Sequence, residues 1–542
     1  DANVLWSDGS QSRYRATSAS QSSKDNPKAG ELVENAAVKT NKDEQVNSER
    51  PPAPKQRVSD NESKSETSKV DSPQSVACKV NYPLGAYGRT APPEQPEVLL
   101  IKNATVWTCD EAGILEHADI LVRSGMIEQI GQNLTSVTDA QVVDATGMHV
   151  SPGIIDCHSH MATDGGVNES GQTITAEVRV GDFIDSNDIT IYRQLAGGVT
   201  TSSILHGSAN PIGGQNQVIK LRWGSLDEDL KMREAPAGIK FALGENVKQS
   251  NHAGGSSRYP QSRMGVEQLI RDRFEAARDY RERWQHPERH VNSLPPRRDL
   301  ELEALVEVLE GRRWIHCHSY RQDEILMMLR LLDDYDVTIG SLQHILEGYK
   351  VADAMTAHGA TGSSFSDWWA YKIEVLDAIP YNGAVMHRAG VVVSFNSDDA
   401  ELARHLNHEA AKAIKYGGVE PSEALKFVTL NPAKQLRIDR WVGSITVGKQ
   451  ADLVLWNRSP LSTLSVCMQT WIDGRKYFDR EQDQIRSAQD EELRLKLIQL
   501  AAEQQTDKEE NDDDQDPSLW WARYDEFCHH GHHDDDEEGH HH

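Results

Sequence analysis

The sequence contains no long apolar run, few cysteines and fewer basic than acidic residues, and each of these features excludes a class of protein. No stretch of about 18 consecutive apolar residues occurs, so the sequence predicts no membrane-spanning segment. The 57 Lys and Arg residues face 84 Asp and Glu residues, and the net charge of −27 argues against a nucleic acid or an anionic membrane as partner. Six cysteines in 542 residues, none in a CxxC pair, indicate no disulfide framework.

The length and the first residue bound what the chain can be. An α/β barrel needs roughly 250 residues, so 542 residues leave room for an accessory domain, linkers and tails. The chain starts at Asp1 rather than Met, which is compatible with a leader or a longer upstream polypeptide that has been removed. Localisation therefore stays open between the cytoplasm and an exported form.

Both ends of the chain have the composition of tails. Residues 1–92 are rich in Ser, Lys, Asn, Asp, Glu and Pro, which predicts a linker or a disordered segment. Residues 481–542 read as a charged helix followed by an acidic, histidine-rich tail, in which His529, His530, His532 and His533 could scavenge metal. The closing residues 539–542 resemble a truncated purification tag, so we exclude them from the site.

Two strand-rich segments lie on either side of a long central region. VLLIKNATVWT near the start and ADLVLWN near the end have the short apolar alternation that is typical of strands. We expect residues 93–150 and 438–480 to form one composite β-sandwich domain from both sides of the centre.

The central region, residues 151–437, alternates apolar strands with amphipathic helices. This pattern predicts an α/β fold, specifically a closed parallel (β/α)8 or TIM barrel. The eight strand candidates span residues 153–160, 199–207, 217–223, 238–245, 313–319, 337–344, 359–365 and 390–399.

Histidines and an aspartate stand at the ends of several of these strands. His158 and His160 close the first strand, and side chains at i and i+2 of a strand share a face. Barrel active sites lie at the carboxyl ends of the strands, where two converging imidazoles are natural ligands for Zn²⁺ or a similar ion. His316, His344 and Asp398 end three further strands in the same way, so the sequence predicts a metal centre.

The motifs PGIIDCHSH, the later His316, His344 and Asp398, and the closing segment VTLNPAKQL…VGSITVGKQADLVLW resemble the amidohydrolase superfamily. The resemblance is strongest to its imidazolonepropionase-related, prolidase-like branch. It implies a barrel with a sandwich domain and one or two divalent ions, with zinc favoured. His158, His160, His316, His344 and Asp398 would be ligands. Asp398 would also act as general base towards a metal-activated water.

A further ligand is expected at the end of the fourth strand. Relatives bridge two metals there with a Glu or a carboxylated Lys, and the resemblance leaves Glu245 and Lys240 as alternatives, with Glu245 favoured. We assign His318, in the fifth strand, and Tyr320 and Arg321, just past it, to substrate binding. The guanidinium of Arg321 could hold a substrate carboxylate through two hydrogen bonds.

These residues favour a metal-dependent hydrolase that cleaves amide or cyclic amide C–N bonds in a small-molecule or short peptide-like substrate. A deaminase or an imidazolone-type ring hydrolase is an alternative. The resemblance weakens the deaminase hypothesis, because deaminases of this superfamily carry a Glu three residues after the fifth-strand His, and Ser319 occupies that position here. A non-catalytic barrel that acts as a binding module is a third possibility, and a homo-oligomer is one option for the assembly. The exact substrate is left open because a fold does not fix a function.

Overall fold

The computed structural model describes residues 2–5, 11–14 and 81–505, with gaps at 85–86, 136–138, 164–165, 251–255, 291–293, 295 and 369–370. The chain divides into two units, residues 1–76 and 77–542. In the first unit, β1 (Ala2–Leu5) pairs antiparallel with β2 (Gln11–Tyr14). This hairpin differs from the predicted linker, because the backbone hydrogen bonds of a hairpin are local and do not depend on the large apolar core that the composition lacks. The acidic, histidine-rich tail lies outside the described residues.

Eight strands of the second unit form a nearly closed, barrel-like sheet in chain order. The first and last strands meet where the Asp398 N–H donates to the His158 carbonyl at 3.1 Å. All eight strand candidates are present. They are β8 (Ile154–Ser159), β9 (Val199–Ile204), β10 (Ile212–Lys220), β11 (Ala237–Ala242), β12 (Arg313–His318), β13 (Ser341–Gln343), β14 (Thr361–Ser364) and β15 (Val393–Phe395).

The third strand departs from the predicted all-parallel barrel. β10 pairs antiparallel with both β9 and β11, whereas the other neighbouring strands of this sheet pair in parallel. The prediction was wrong here because only residues 205–211 separate β9 from β10. A parallel crossover needs a dozen residues or more, so the chain turns back as a hairpin. The start of β10 therefore lies at the same end of the sheet as the end of β9.

Helices follow most barrel strands and bury one face against the sheet. In α6, Ile325, Met328, Leu329 and Leu332 are buried at the i, i+3, i+4, i+7 spacing of an amphipathic helix. No helix within the described ranges combines the length and the apolarity needed to cross a bilayer. The helices are α1 (Ile189–Leu195), α2 (Asp227–Leu230), α3 (Glu245–Lys248), α4 (Arg263–Gln285), α5 (Leu300–Leu309), α6 (Gln322–Asp333), α7 (Ala352–His358), α8 (Asn382–Arg388), α9 (Leu406–Gly417), α10 (Pro421–Lys426), α11 (Leu430–Gln435) and α12 (Arg480–Gln505).

A second sheet is built from both sides of the barrel sequence. Its strand order is β18-β17-β16-β7-β3-β4-β5, and β6 pairs with β3. The two chain segments join where β7 pairs antiparallel with β16. The strands are β3 (Val98–Trp107), β4 (Ile114–Arg123), β5 (Met126–Gly131), β6 (Gln141–Asp144), β7 (His149–Pro152), β16 (Leu453–Trp456), β17 (Cys467–Ile472) and β18 (Arg475–Asp479).

A buried lysine connects the barrel sheet to this second sheet. Lys220, at the end of β10, is fully buried, and its Nζ lies 2.7 Å from Gln450 Oε1 and 3.0 Å from Asp452 Oδ1. The same Nζ lies 2.5 Å from Asp473 Oδ1. Burial raises the pKa of Asp452, while the nearby Lys220 acts in the opposite direction. The carboxylate of Asp452 therefore depends on the lysine for its counter-charge.

We expect Lys220→Met to lower the free energy of unfolding by about 3–5 kcal/mol, because it leaves the buried carboxylate of Asp452 without its counter-charge. Denaturant titration would measure the change. Lys434→Met, at an exposed position of α11, is the matched control and should stay within about 0.5 kcal/mol of the wild type. Equal midpoints for the two variants would show that the buried cation contributes little.

Candidate active site

The two histidines of the first barrel strand are held with one ring nitrogen each turned to Asp398. His160 Nδ1 lies 2.8 Å from the Leu205 carbonyl, to which it can only donate, so its Nε2 carries the lone pair. His158 Nδ1 lies 3.2 Å from Gln343 Oε1, which favours the same tautomer. Asp398 Oδ1 lies 3.3 Å from Nε2 of His158 and 3.2 Å from Nε2 of His160. Two nitrogen lone pairs thus face a carboxylate oxygen, an arrangement that a shared cation would stabilise.

His344, at the end of β13, completes this group. Its Nε2 lies 3.9 Å from Asp398 Oδ2, and the ligand atoms of His158, His344 and Asp398 all lie within 4.8 Å of one another. These three residues form a group that could hold a metal ion. The buried Nδ1 of His344 has no hydrogen-bond partner within the described residues.

Two members of the group have strained backbones. His344 has φ 41° and Asp398 has φ 51°, both in the left-handed region that side chains other than glycine rarely adopt. Each such residue costs roughly 1–3 kcal/mol, and these conformations concentrate at functional sites. The strain therefore supports a functional role at both strand ends.

The base of the group is held by Asp156, which sequence reasoning did not single out. This buried carboxylate accepts hydrogen bonds from the backbone N–H groups of His158 and Ser397, each at 3.2 Å, and from the Ser397 hydroxyl. Burial raises the pKa of Asp156 to about 6. Asp156 thereby fixes β8 and the end of β15 relative to each other. Its position two residues before His158, on the same strand face, was the available signal.

Lys240 lies beside the group from the neighbouring strand. Its Nζ is 3.3 Å from His158 Nε2, and its backbone is in register with His316 of β12. Burial lowers the pKa of Lys240 to about 8, although Asp398 acts in the opposite direction. At pH 7 roughly a tenth of this amine is therefore neutral, far more than for an ordinary lysine.

Glu245 does not share this position. It begins α3, and its Oε1 lies 3.8 Å from Lys372 Nζ while its backbone N–H donates to Glu374 Oε2 at 3.0 Å. The structure thus brings Lys240, rather than the favoured Glu245, to the histidines. The fourth strand ends at Ala242, so Glu245 lies beyond it, past the strained Gly244.

His316 and His318 both point into the buried interior from β12. His316 Nδ1 lies 2.8 Å from Ser341 Oγ, and His318 Nδ1 lies 3.0 Å from His344 Nε2. Burial is the main cause that lowers the pKa of His316 to about 3 and that of His158 to about 4. These imidazoles are neutral at pH 7, which is the form that binds metals.

An aromatic wall stands over His344. The Tyr320 ring lies 4.8 Å from the rings of both His318 and His344, and Phe365 stacks on His344 at 5.4 Å. The Tyr371 hydroxyl donates to the Tyr320 oxygen at 3.1 Å. Lys372, which the sequence analysis did not single out, places Nζ 4.5 Å from the centre of the Tyr320 ring.

Arg321 is engaged away from these rings. Its Nε lies 3.0 Å from Asp323 Oδ1, and it stands at the N-cap position of α6. His206, another histidine that sequence reasoning missed, lies two residues after the end of β9 and within the predicted strand segment 199–207. The Nε2 of His206 accepts a hydrogen bond from the Glu169 N–H at 2.9 Å. Gly213 packs closely against the other side of the ring, since a Cβ added to Gly213 would lie 2.8 Å from His206 Nδ1. His206 therefore positions loops rather than joining the group.

Comparisons with known proteins agree with this geometry. The model of the Amidohydrolase family matches residues 381–476. The chain is 30% identical over 425 residues to "Amidohydrolase tasK" of Hapsidospora irregularis. The matched region covers 70% of this chain and 43% of that protein. It is also 23% identical over 394 residues to an adenine deaminase of Clostridium botulinum (strain 657 / Type Ba4). That matched region covers 67% of this chain and 54% of the deaminase. The chain thus spans about half the length of the curated relatives that it matches.

Among solved structures, the amidohydrolase from Thermotoga maritima MSB8 is 32% identical with a TM-score of 0.65. The match covers 70% of this chain and 100% of that chain. Three findings agree with one another. The sheet is barrel-like, a group that could hold a metal ion lies at its strand ends, and the match spans the full length of a solved relative. The chain belongs to the amidohydrolase family.

Proposed function

We propose that this protein is a metal-dependent hydrolase that cleaves amide or cyclic amide C–N bonds in small-molecule or short peptide-like substrates. The observation that carries the proposal is the convergence of His158, His160 and His344 on the Asp398 carboxylate. Family membership supports the chemistry, since two matched relatives are named as an amidohydrolase and an adenine deaminase.

The residues present fit a divalent ion, for which we favour zinc. His158, His160, His344 and Asp398 would hold one ion. Nε2 of His158 and Nε2 of His160 each turn a lone pair to Asp398, His344 lies in the same group, and the donor set is the nitrogen and oxygen mixture that zinc prefers. When bound, the ion would polarise the scissile carbonyl and lower the pKa of water towards 7.

The chain's own residues would then carry out the proton transfers. The carboxyl of Asp398 is ionised at neutral pH, as an aspartate ordinarily is, so it can accept a proton. Asp398 would take a proton from the attacking water and deliver it to the leaving nitrogen as the C–N bond breaks. His318 and Tyr320 would contact the substrate from the aromatic wall.

We further propose that Lys240, with His316 beside it, holds a second ion after carboxylation of its amine. A neutral lysine amine can add to CO₂ and release a proton, and the lowered pKa of Lys240 supplies that neutral form. The resulting carboxylate would reach the position that the resemblance reserves for a bridging ligand. Arg321, bound to Asp323, remains a weaker candidate for substrate binding.

The choice between the two bridging candidates is testable by metal content. We expect Lys240→Ala to lose at least one ion per chain, because it removes the proposed carboxylated ligand, whose Nζ lies 3.3 Å from His158 Nε2. Glu245→Gln should retain the wild-type content. Elemental analysis of dialysed protein would measure both. Loss of metal in Glu245→Gln with retention in Lys240→Ala would reverse the assignment.

Deamination is a second candidate, supported by the adenine deaminase match. Buried Ser319, whose hydroxyl donates to the Cys317 carbonyl at 3.3 Å, offers no carboxylate next to His318 for proton transfer. A non-catalytic barrel would keep the fold without turnover.

A panel of substrates separates these functions. Metal-loaded protein should release an amine from N-acyl amino acids or dipeptides, or open the ring of cyclic amides to an amine and a carboxylate on one molecule, whereas a deaminase would release ammonia from adenine. Asp398→Asn is the control for turnover by the proposed site. A chain with stoichiometric metal that turns over none of these compounds would support the binding module.

We also propose a division into domains. Residues 93–150 and 438–480 would form a sandwich, residues 151–437 the catalytic barrel, and residues 481–542 a helical and acidic extension. Burial of Leu99, Ile101, Leu453 and Leu455 in one core supports the sandwich, because these alternate positions of β3 and β16 then face the same interior.

A further inference from the structure

A cavity of about 500 Å³ lies on the flank of the barrel and shares no lining residue with the histidine group. Five parts of the chain line this flank cavity: Tyr87, α1 with the two residues after it, residues 404–408 around the start of α9, the segment 456–467, and the first turn of α12. Because α1 follows the first barrel strand and α9 follows the last, the flank cavity lies over the seam between β8 and β15. Its volume lies within the range of small-molecule sites.

The charged residues of the flank cavity are mostly cations. Arg193, Arg404 and Arg480 line it, and the acidic residue among the lining, Asp483, accepts a hydrogen bond from the Tyr192 hydroxyl at 2.7 Å. Arg480 Nε donates a hydrogen bond to the Cys467 carbonyl at 2.7 Å. This partner is neutral, so the hydrogen bond does not balance the charge of the guanidinium. Arg193, in the last turn of α1, forms no ion pair within the described residues. Arg404 Nη1 lies 2.6 Å from Glu401 Oε2, so the positive charge that the acids near the cavity leave unbalanced comes from Arg193 and Arg480.

The start of α9, which directly follows a 3-10 helix at Leu402–His405, adds one unpaired ring nitrogen. α9 has no side-chain cap at its N-terminus, where His405 and His408 stack with ring centres 5.6 Å apart. The Nε2 atom of His408 is buried and has no hydrogen-bond partner within the described part of the chain. Buried polar atoms are rarely left unpaired, and a helix N-terminus attracts negative charge.

The remaining wall is aromatic. Tyr87 and Tyr192 lie with ring centres 4.9 Å apart, and Trp456 lines the same space. Such a wall suits a flat ring. A metal ion is disfavoured, because among the described residues the tight cluster of metal-binding side chains is His158, His344 and Asp398, outside this cavity.

We propose that the flank cavity binds a small organic anion that combines a planar ring with a carboxylate or phosphate group. The guanidinium groups and the unpaired ring nitrogen of His408 receive the charged group, and the tyrosines and Trp456 receive the ring. This site is separate from the proposed catalytic centre, so its existence does not depend on the proposed function.

Calorimetric titration of the full chain with four probes tests this proposal. Phenyl phosphate or benzoate should bind at one site, and the tighter of the two identifies the charged group. Inorganic phosphate and phenol should each bind at least about tenfold more weakly, because each lacks half of the complementary chemistry. Arg193→Gln and His408→Gln should each weaken the tighter probe about tenfold, since each removes a hydrogen bond to a charged group.

Arg233→Gln is the matched control, because Arg233 is exposed and lies outside the flank cavity, and it should bind the probes as the wild type does. The proposal is overturned if neither aromatic anion binds, or if Arg193→Gln and His408→Gln, both with wild-type melting temperatures, retain full affinity. Equal affinity for inorganic phosphate and phenyl phosphate would overturn the role of the aromatic wall.

Discussion

Replacing His344 by alanine is expected to remove the bound metal and the hydrolytic activity together. His344 is fully buried, and its imidazole is one of three side chains whose ligand atoms lie within 4.8 Å of one another. A metal contributes several kcal/mol of transition-state stabilisation, so its loss should lower kcat/KM on the order of 10³-fold or more. Elemental analysis and turnover of the best substrate in the panel would measure the two effects in parallel.

His358→Ala is the matched control for the loss of a buried imidazole. The His358 side chain is 3% exposed, ends α7 and pairs with Asp333 at 2.6 Å, away from the histidine group. This variant should lose stability but keep its metal. A His344→Ala protein with full metal content and turnover would show that His344 is not a ligand.

Asp398→Asn is expected to separate metal binding from catalysis. The amide keeps the shape of the side chain and one oxygen donor but cannot accept the proton of the attacking water. General-base catalysis is worth about 10²–10⁴-fold, so kcat should fall by that range while at least one ion remains bound. Metal content and kcat of the same preparation would show the separation.

Asp399→Asn is the neighbouring control. Asp399 accepts the backbone N–H groups of Glu401 and Leu402, at 2.9 and 2.6 Å, so it shapes the turn after β15. Its substitution should leave kcat within a few-fold of the wild type. A larger loss in Asp399→Asn than in Asp398→Asn would exchange the roles of the two residues.

The periodic features of the chain could be predicted from the sequence. The eight strand segments follow from local apolar patterns, and the charged segment after residue 480 was expected to be the helix that α12 forms. The pairing of β7 with β16 agrees with the expectation that the two flanking segments join. The direction of β10 was missed because a strand has the same apolar pattern in either direction. Only the short connection before it carried that information.

The neighbourhood of each side chain was less predictable. Strand parity brought His158, His160 and Asp398 to one place, but it could not decide between Lys240 and Glu245, because the answer depends on where β11 ends. Gln343, which holds the ring of His158, gave no signal of its own, since its role arises only from the pairing of distant strands.

Anomalous scattering from crystals of the metal-loaded protein tests the central claim most directly. We predict a peak about 2.0–2.2 Å from Nε2 of His158 and His160 and from an Asp398 carboxylate oxygen, with His344 also within bonding distance. A protein that turns over substrate while its anomalous peaks lie elsewhere, for example among the histidines at residues 529–533, would contradict the account.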